Sequence, residues 1–223
     1  MSLDALQRKL EYQFQDLGLL ELALTHKSHA SENNERLEFL GDAILGYVIA
    51  DELFRHHSHF NEDDMSLARA HLVRGTTLAE ISREFELGQC LRMGSGERRS
   101  GGRDRDSILA DALEAIVGAV HVDGGLQAAR DVILKVYGER VMQANPDAWK
   151  DAKTQLQELL QGNGRALAVY EVESVEGADH DRRYVVSCTI DSGDSVVGRA
   201  SSRRKAEKDA AQNMLIELGE ADV

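Results

Sequence analysis

The apolar residues of this chain change their spacing once, at Asn145-Pro146-Asp147, around its single proline. From Ser2 to about Gln143 they recur every three or four residues, the period of amphipathic helices. Proline disfavours helix at the residue before it, so the helical pattern has a physical reason to stop there. Beyond it, Asp151–Gln161 reads as one more helix. Three stretches of alternating character follow, Ala168–Ser174, Arg183–Ile190 and Ser195–Ala200, with turn signals at Gly177-Ala178-Asp179 and Asp191-Ser192-Gly193-Asp194. A last helix opens near Ser201 or Ser202 and runs to about Leu218. The expected architecture is an all-α domain over 1–145, a linker over 146–150, and a small α+β domain over 151–223 in the order α-β-β-β-α. No internal repeat is visible.

Composition narrows the function classes. The chain is 42% hydrophobic and 29% charged, as in an ordinary soluble protein. Cys90 and Cys188 are far apart and lack metal-ligand spacing, which fits a reducing compartment and argues against a disulfide scaffold or a structural zinc site. The N-terminal segment has no signal-peptide pattern, and the most apolar stretch, Ala112–Val122, is too short to span a bilayer. A cytoplasmic protein without a membrane partner is expected. The net charge of −13 is awkward for a nucleic-acid binder, because phosphate contacts need local positive charge. An acidic site holding divalent cations, with basic residues gathered on another face, reconciles the two.

The segment Asn34-Glu35-Arg36-Leu37-Glu38-Phe39-Leu40-Gly41-Asp42-Ala43-Ile44-Leu45 carries the most information. At about 100° per residue, Glu35, Glu38 and Asp42 share one arc of a helix. Leu37, Leu40 and Ile44 lie opposite and face the core. A second helix, Ser107–Gly118, sets Leu109, Leu113, Ile116 and, further on, Val120 along an apolar stripe, with Asp111 and Glu114 one turn apart on the other side. Spacing alone leaves two readings open, solvated outer faces or acids that meet across a bundle to hold a metal. Oxygen donors without Cys or His favour Mg²⁺ or Mn²⁺ over zinc. The His56-His57-Ser58-His59 run reads as a polar surface loop, and His26 and His29 as structural or surface groups. The glycine-rich Gly94–Gly102 stretch is expected to break the helical pattern, and it lacks the Lys-Ser/Thr ending of a phosphate-cradling loop.

The run NERLEFLGDAIL, and GSGERRSGG followed by DSILADALEAIVGAVHVDGG, resemble the two signature blocks of the ribonuclease III family. The resemblance extends over nearly the whole chain. It implies the helical endonuclease fold of that family and a double-strand-specific endoribonuclease that needs Mg²⁺, with Mn²⁺ as a substitute and no small-molecule cofactor. Carried over by position, it makes Glu38, Asp42, Asp111 and Glu114 the catalytic metal ligands, with Asp42 positioning the attacking water. Glu35 matches a position near the cleft that is not a principal ligand, and Glu62 is a lesser candidate at the cleft edge. Phe39, projecting toward the acidic side of its helix, matches an aromatic that inserts into the partner of a homodimer. The implied products carry 5′-phosphate and 3′-hydroxyl ends with short 3′ overhangs. The implied substrates are ribosomal RNA precursors, transfer RNA and structured messenger RNAs. One metal or two is left open.

The C-terminal segment resembles a double-stranded-RNA-binding domain. A Ser N-cap and a helix N-terminus bearing Arg203, Arg204, Lys205 and Lys208 favour an anionic ligand. The matching contacts are Gln157 and Glu158 on the first helix, His180 between the first two strands, and Arg203, Arg204 and Lys205 on the last helix. Glu158 can accept from a 2′-hydroxyl, which DNA lacks. Ala168 stands where this family commonly has Pro, and Glu207 where a third basic residue is frequent. Residues 148–223 hold 10 Lys and Arg against 14 Asp and Glu, a net −4, so modest and salt-sensitive affinity is expected. Two rivals are a non-catalytic RNA-binding scaffold, against which the four intact acids speak, and a small-molecule phosphohydrolase, against which the second domain speaks.

Overall fold

A computed structural model describes residues 1–177 and 181–219. The chain divides into two compact units, Met1–Pro146 and Asp147–Val223. The first is helical: α1 (Leu3–Leu10), α2 (Leu17–Ala23), α3 (Glu35–His56), α4 (Glu62–Leu72), α5 (Gly75–Glu84), α6 (Ser95–Arg99) and α7 (Asp106–Tyr137). Its core is built on α3 and α7. The stripe Leu109, Leu113, Ile116 and Val120 of α7 is buried, as are Leu45, Val48, Ile49 and Leu53 of α3.

The two long helices touch backbone to backbone. A Cβ on Gly41 would stand 1.8 Å from the carbonyl oxygen of Glu114, and one on Gly118 would stand 2.2 Å from that of Leu37. No side chain fits at either point. The crossing therefore requires both glycines, although glycine inside a helix costs about 1 kcal/mol relative to alanine. Further along, α7 is interrupted at Gly125, whose φ of 82° is outside helical space. Just before this break the Asp123 carboxylate accepts hydrogen bonds from Tyr12 Oη (2.7 Å) and from the amides of Gln15 and Asp16 (2.9 Å each). These bonds tie the kink to the α1–α2 connection.

Two expectations for this unit are corrected. The glycine-rich stretch is not wholly irregular, because Ser95–Arg99 forms a short helix between extended Gly94 and left-handed Gly101 (φ 82°). His57 is not on the surface. It is buried, stacks on Phe60 at 4.4 Å between ring centroids, and bonds through Nε2 to the carbonyl of Val141 at 2.8 Å. An imidazole satisfied on its polar edge and covered on its face is a core residue, whatever polar neighbours flank it.

The second unit contains α8 (Ala152–Gly162), β1 (Val169–Glu176), β2 (Arg183–Thr189), β3 (Ser195–Ala200) and α9 (Arg203–Glu217). The strands form one antiparallel sheet in the order β1-β2-β3, with an irregularity between Val172 and Ser174. β1 continues to Glu176, which pairs with Arg183, two residues beyond the expected end. Leu156 and Leu160 of α8 and Ala210, Ala211, Met214 and Leu215 of α9 bury against Cys188 and Ile190. α9 lies directly on β3: a Cβ on Gly198 would meet the amide nitrogen of Ala210 at 2.2 Å and the carbonyl of Ala206 at 2.4 Å. Asp151 caps α8 by accepting from the amides of Lys153 and Thr154, and Ser202 caps α9 by accepting from Lys205.

The glycine crossing is testable. Gly118→Ala is expected to destabilise the helical unit by about 1–3 kcal/mol through overpacking. Each kcal/mol lowers Tm by about 2–4 °C in a chain this long, and a melt followed by circular dichroism measures it. An unchanged Tm would show that the backbones do not meet there.

Candidate functional site

The crossing of α3 and α7 sets the position of the acids. Glu38 lies one turn before Gly41, and Glu114 one turn before Gly118, so backbone contact brings their carboxyls close. Glu38, Asp111 and Glu114 each offer an oxygen within 4.8 Å of the others, and all three are half-buried. Asp42 is not within this group and its residue is exposed, but its charge acts on Glu114. Glu35 stands at the margin, in an ion pair with Lys27 at 3.1 Å.

Packing carboxylates this closely out of water makes ionisation difficult. Burial pushes Glu114 up to about 8, with the charges of Asp42, Asp111 and Glu38 adding to the effect. Burial also raises Glu38, with help from Asp111 and Glu35, and burial raises Asp111. The Lys27 ammonium opposes both shifts. Lys27 was not legible as part of the site, since it lies in a loop with no periodic relation to either helix. The donor set fits a hard divalent cation: oxygens only, convergent, and under mutual repulsion that such an ion would relieve.

Glu62 lies elsewhere. It opens α4 and, with Tyr47, Phe54, Met65 and Arg69, lines a groove between the C-terminal half of α3 and α4. Phe39 is 80% exposed, and Tyr47 and Phe54 on the same helix are 55% and 71% exposed. Their spacings of eight and seven residues put the three aromatics along one side of α3. Of the three, only Phe39 carries a signal in the sequence.

In the second unit Gln157 and Glu158 are exposed neighbours on α8, and Arg203, Arg204 and Lys205 are exposed at the head of α9. The Glu158 carboxylate is held by Lys150 at 2.9 Å, a side chain only 13% exposed that also pairs with Asp147 at 2.8 Å. Arg203 pairs with Glu207 at 2.8 Å, and Glu207 also accepts from Lys153 at 2.8 Å. The Lys150–Glu158 and Lys153–Glu207 pairs join residues that no helical spacing relates. His180 lies outside the described residues.

A helical unit with converging carboxylates, joined to an α-β-β-β-α module, defines a recognisable class. Residues 16–141 match the family model described as ribonuclease-III-like, and residues 152–218 match the double-stranded RNA binding motif. Proteins called ribonuclease 3 from Vibrio campbellii and Vibrio vulnificus are 51% and 53% identical over 97% of both chains. The protein of that name from Proteus mirabilis is 52% identical over 96% of this chain and 95% of its own. A crystal structure of the ribonuclease III nuclease domain from Campylobacter jejuni, at 2.2 Å, is 41% identical with a TM-score of 0.61, covering 65% of this chain and 99% of that one. A second structure of that domain, described as flexible in the region involved in dimer formation, is 42% identical with a TM-score of 0.61, covering 62% and 98%. The chain belongs to the ribonuclease III family, the double-strand-specific endoribonucleases.

The strained carboxylate gives a pH prediction. In the metal-free folded chain Glu114 keeps its proton to about pH 8, whereas an ordinary glutamate ionises near 4.5. Unfolding then releases a proton, so this group's contribution to stability falls as pH rises from about 4.5 to about 8 and is level above that. Glu114→Gln removes the effect. In EDTA its Tm advantage over the natural chain is expected to be small at about pH 5 and to grow by several °C toward pH 8, since each tenfold change in proton affinity is worth about 1.4 kcal/mol and each kcal/mol about 2–4 °C. A gap independent of pH would show that Glu114 ionises normally.

Proposed function

We propose that this chain hydrolyses phosphodiesters of double-stranded RNA at the Glu38–Asp111–Glu114 cluster, with Mg²⁺ as the working ion and Mn²⁺ as a substitute. The observation that carries this is the convergence of three half-buried carboxylates with raised proton affinity in a chain of this family. Glu38 and Glu114 are the direct ligands and Asp111 completes the set. When bound, a divalent ion there lowers the pKa of water and stabilises charge developing on the phosphate. Asp42, exposed beside the cluster, accepts a hydrogen bond from the attacking water and orients it. Glu35 stays paired with Lys27 at the margin, and the Lys27 ammonium offsets part of the negative charge there.

Water, not the 2′-hydroxyl, is the nucleophile. It attacks phosphorus, the bond from phosphorus to the 3′-oxygen breaks, and that oxygen leaves with a proton as a 3′-hydroxyl, so the phosphate stays on the 5′ end of the downstream product. The second unit holds the duplex by its A-form shape, with Arg203, Arg204 and Lys205 at phosphates and Gln157 and Glu158 in the minor groove. His180 is proposed as a further contact. The exposed Phe39, Tyr47 and Phe54 are the face on which a second copy seats. Glu62 lies beside that face and reaches the cleft edge only in the pair. Two copies would cut the two strands at offset positions and leave short 3′ overhangs. We place the protein in the cytoplasm, where Cys90 and Cys188, both free, remain thiols. Its substrates there are ribosomal RNA precursors, transfer RNA and structured messenger RNAs.

The test is incubation of the full chain with a long RNA duplex, its separated strands and the matching DNA duplex, each with Mg²⁺ or EDTA. Only the RNA duplex with Mg²⁺ is expected to be cut, and Glu114→Gln is expected to lose at least about a hundredfold in rate, as removal of a group acting on the transition state does. End analysis is expected to give 5′-phosphates. A 2′,3′-cyclic phosphate would overturn the mechanism, and tight duplex binding without cleavage would overturn the enzyme reading.

A further inference from the structure

The head of α9 carries more cations than it has free. Arg203, Arg204, Lys205 and Lys208 occupy its first two turns. Lys208 is paired with Asp151 at 3.0 Å. Arg203 is paired through Nε with Glu207 at 2.8 Å, one turn on along the same helix. Arg204 and Lys205 make no ion pair among the described residues, and both are exposed. Half of the positive charge that a phosphate backbone could meet is thus already neutralised within the unit.

Glu207 is the centre of this arrangement. Its side chain is 14% exposed and receives two cations, Arg203 from its own helix and Lys153 from α8. Both hold its carboxyl below the usual range, Lys153 first and then Arg203, so it stays charged under ordinary conditions. The two cations are not equivalent. Lys153 is 35% exposed and its ammonium also lies 4.3 Å from the centre of the Tyr170 ring, which keeps it in place. Arg203 is 63% exposed, and among the described residues only Glu207 pairs with it. It is the one able to leave for another anion.

We infer that Glu207 sets the affinity of this module for duplex RNA by holding Arg203 in an internal ion pair that a phosphate must break. The inference rests on the reading of the α9 head as a phosphate contact. A cation engaging phosphate contributes through release of a counterion from the nucleic acid, and each one steepens the salt dependence. Arg203 must first leave Glu207, and the bound phosphate then faces that carboxylate. Arg203 therefore contributes less to the phosphate contact than Arg204 and Lys205 do in the natural chain. The charge on Glu207 acts as a brake, which keeps binding weak enough for a cut duplex to leave.

The experiment is binding of the full chain to an RNA duplex of about 24 base pairs, longer than the roughly 16 such a module spans. Fluorescence anisotropy in EDTA over a series of salt concentrations supplies both Kd and slope. Glu207→Gln is expected to bind about three- to tenfold tighter near 0.1 M salt, with a slope steeper by about 0.9, one phosphate's worth. Arg203→Ala alone is expected to weaken binding less than Arg204→Ala does, and to erase the gain when combined with Glu207→Gln. Because Glu207→Gln leaves Lys153 without its carboxylate, Lys153→Met/Glu207→Gln is measured beside it, with circular dichroism to confirm that each is folded. The same gain in the double variant supports the inference. Unchanged Kd and slope in both, while Arg204→Ala still weakens binding, would overturn the role of Glu207 and leave the RNA reading intact. If Arg204→Ala also had no effect, the reading of α9 would fall, and this inference with it.

Discussion

The structure depends on a contact between two backbones. Where α3 and α7 cross, Gly41 and Gly118 admit neighbouring carbonyls to distances at which any Cβ would clash. The helical core follows from that approach, because Leu45, Val48 and Ile49 of one helix and Ile116 and Val120 of the other are buried alongside it. The site follows too. Glu38 and Glu114 are each one turn from their glycine, so helices held this close carry their carboxylates together. Separating the axes by the width of a side chain would widen the cluster and let each acid solvate on its own.

That proximity works against the folded state when no cation is present. Burial and mutual repulsion raise the proton affinity of Glu38, Asp111 and Glu114, and the apolar core must hold the helices together against it. A site built this way is preorganised: the cost of gathering the ligands is met on folding rather than on ion binding. Elsewhere the acids have other partners: Glu207 and Asp151 pair with Lys153 and Lys208 in the second unit.

Much of this was legible in the sequence because it is local. The α7 stripe, the one-turn spacing of Asp111 and Glu114, the order of helices and strands, and the Ser202 cap each depend on residues a few positions apart. What depends on contacts distant in sequence was not. Gly41 and Gly118 are individually unremarkable as helical glycines, and only the crossing gives them a role. The burial of His57 depends on Val141, 84 residues away, while its neighbours His56 and His59 suggest a polar loop. Lys27 acts on the cluster through its charge, and Lys150 reaches Glu158, from loops that no periodicity describes. Asp42 shares an arc with Glu38 on a helical wheel, yet it falls outside the converging group and acts on Glu114 through its charge alone.

α3 explains why an amphipathic pattern was a weak guide here. A helix that buries one face shows one apolar stripe, but α3 has three faces with different tasks. One packs on α7, one end of the next bears Glu35, Glu38 and Asp42, and the third exposes Phe39, Tyr47 and Phe54. Apolar residues therefore occur nearly all round it, with acids interrupting at one end. In the proposed pair, the surface that seats a second copy and the surface that holds the ion are parts of one 22-residue helix. A helix is stiff over that length, so the acids of each copy would be fixed relative to the two-fold axis by the same element that forms it. The separation between two cuts would then be set by helix geometry and not by a flexible loop, and a fixed stagger between strands requires such a ruler.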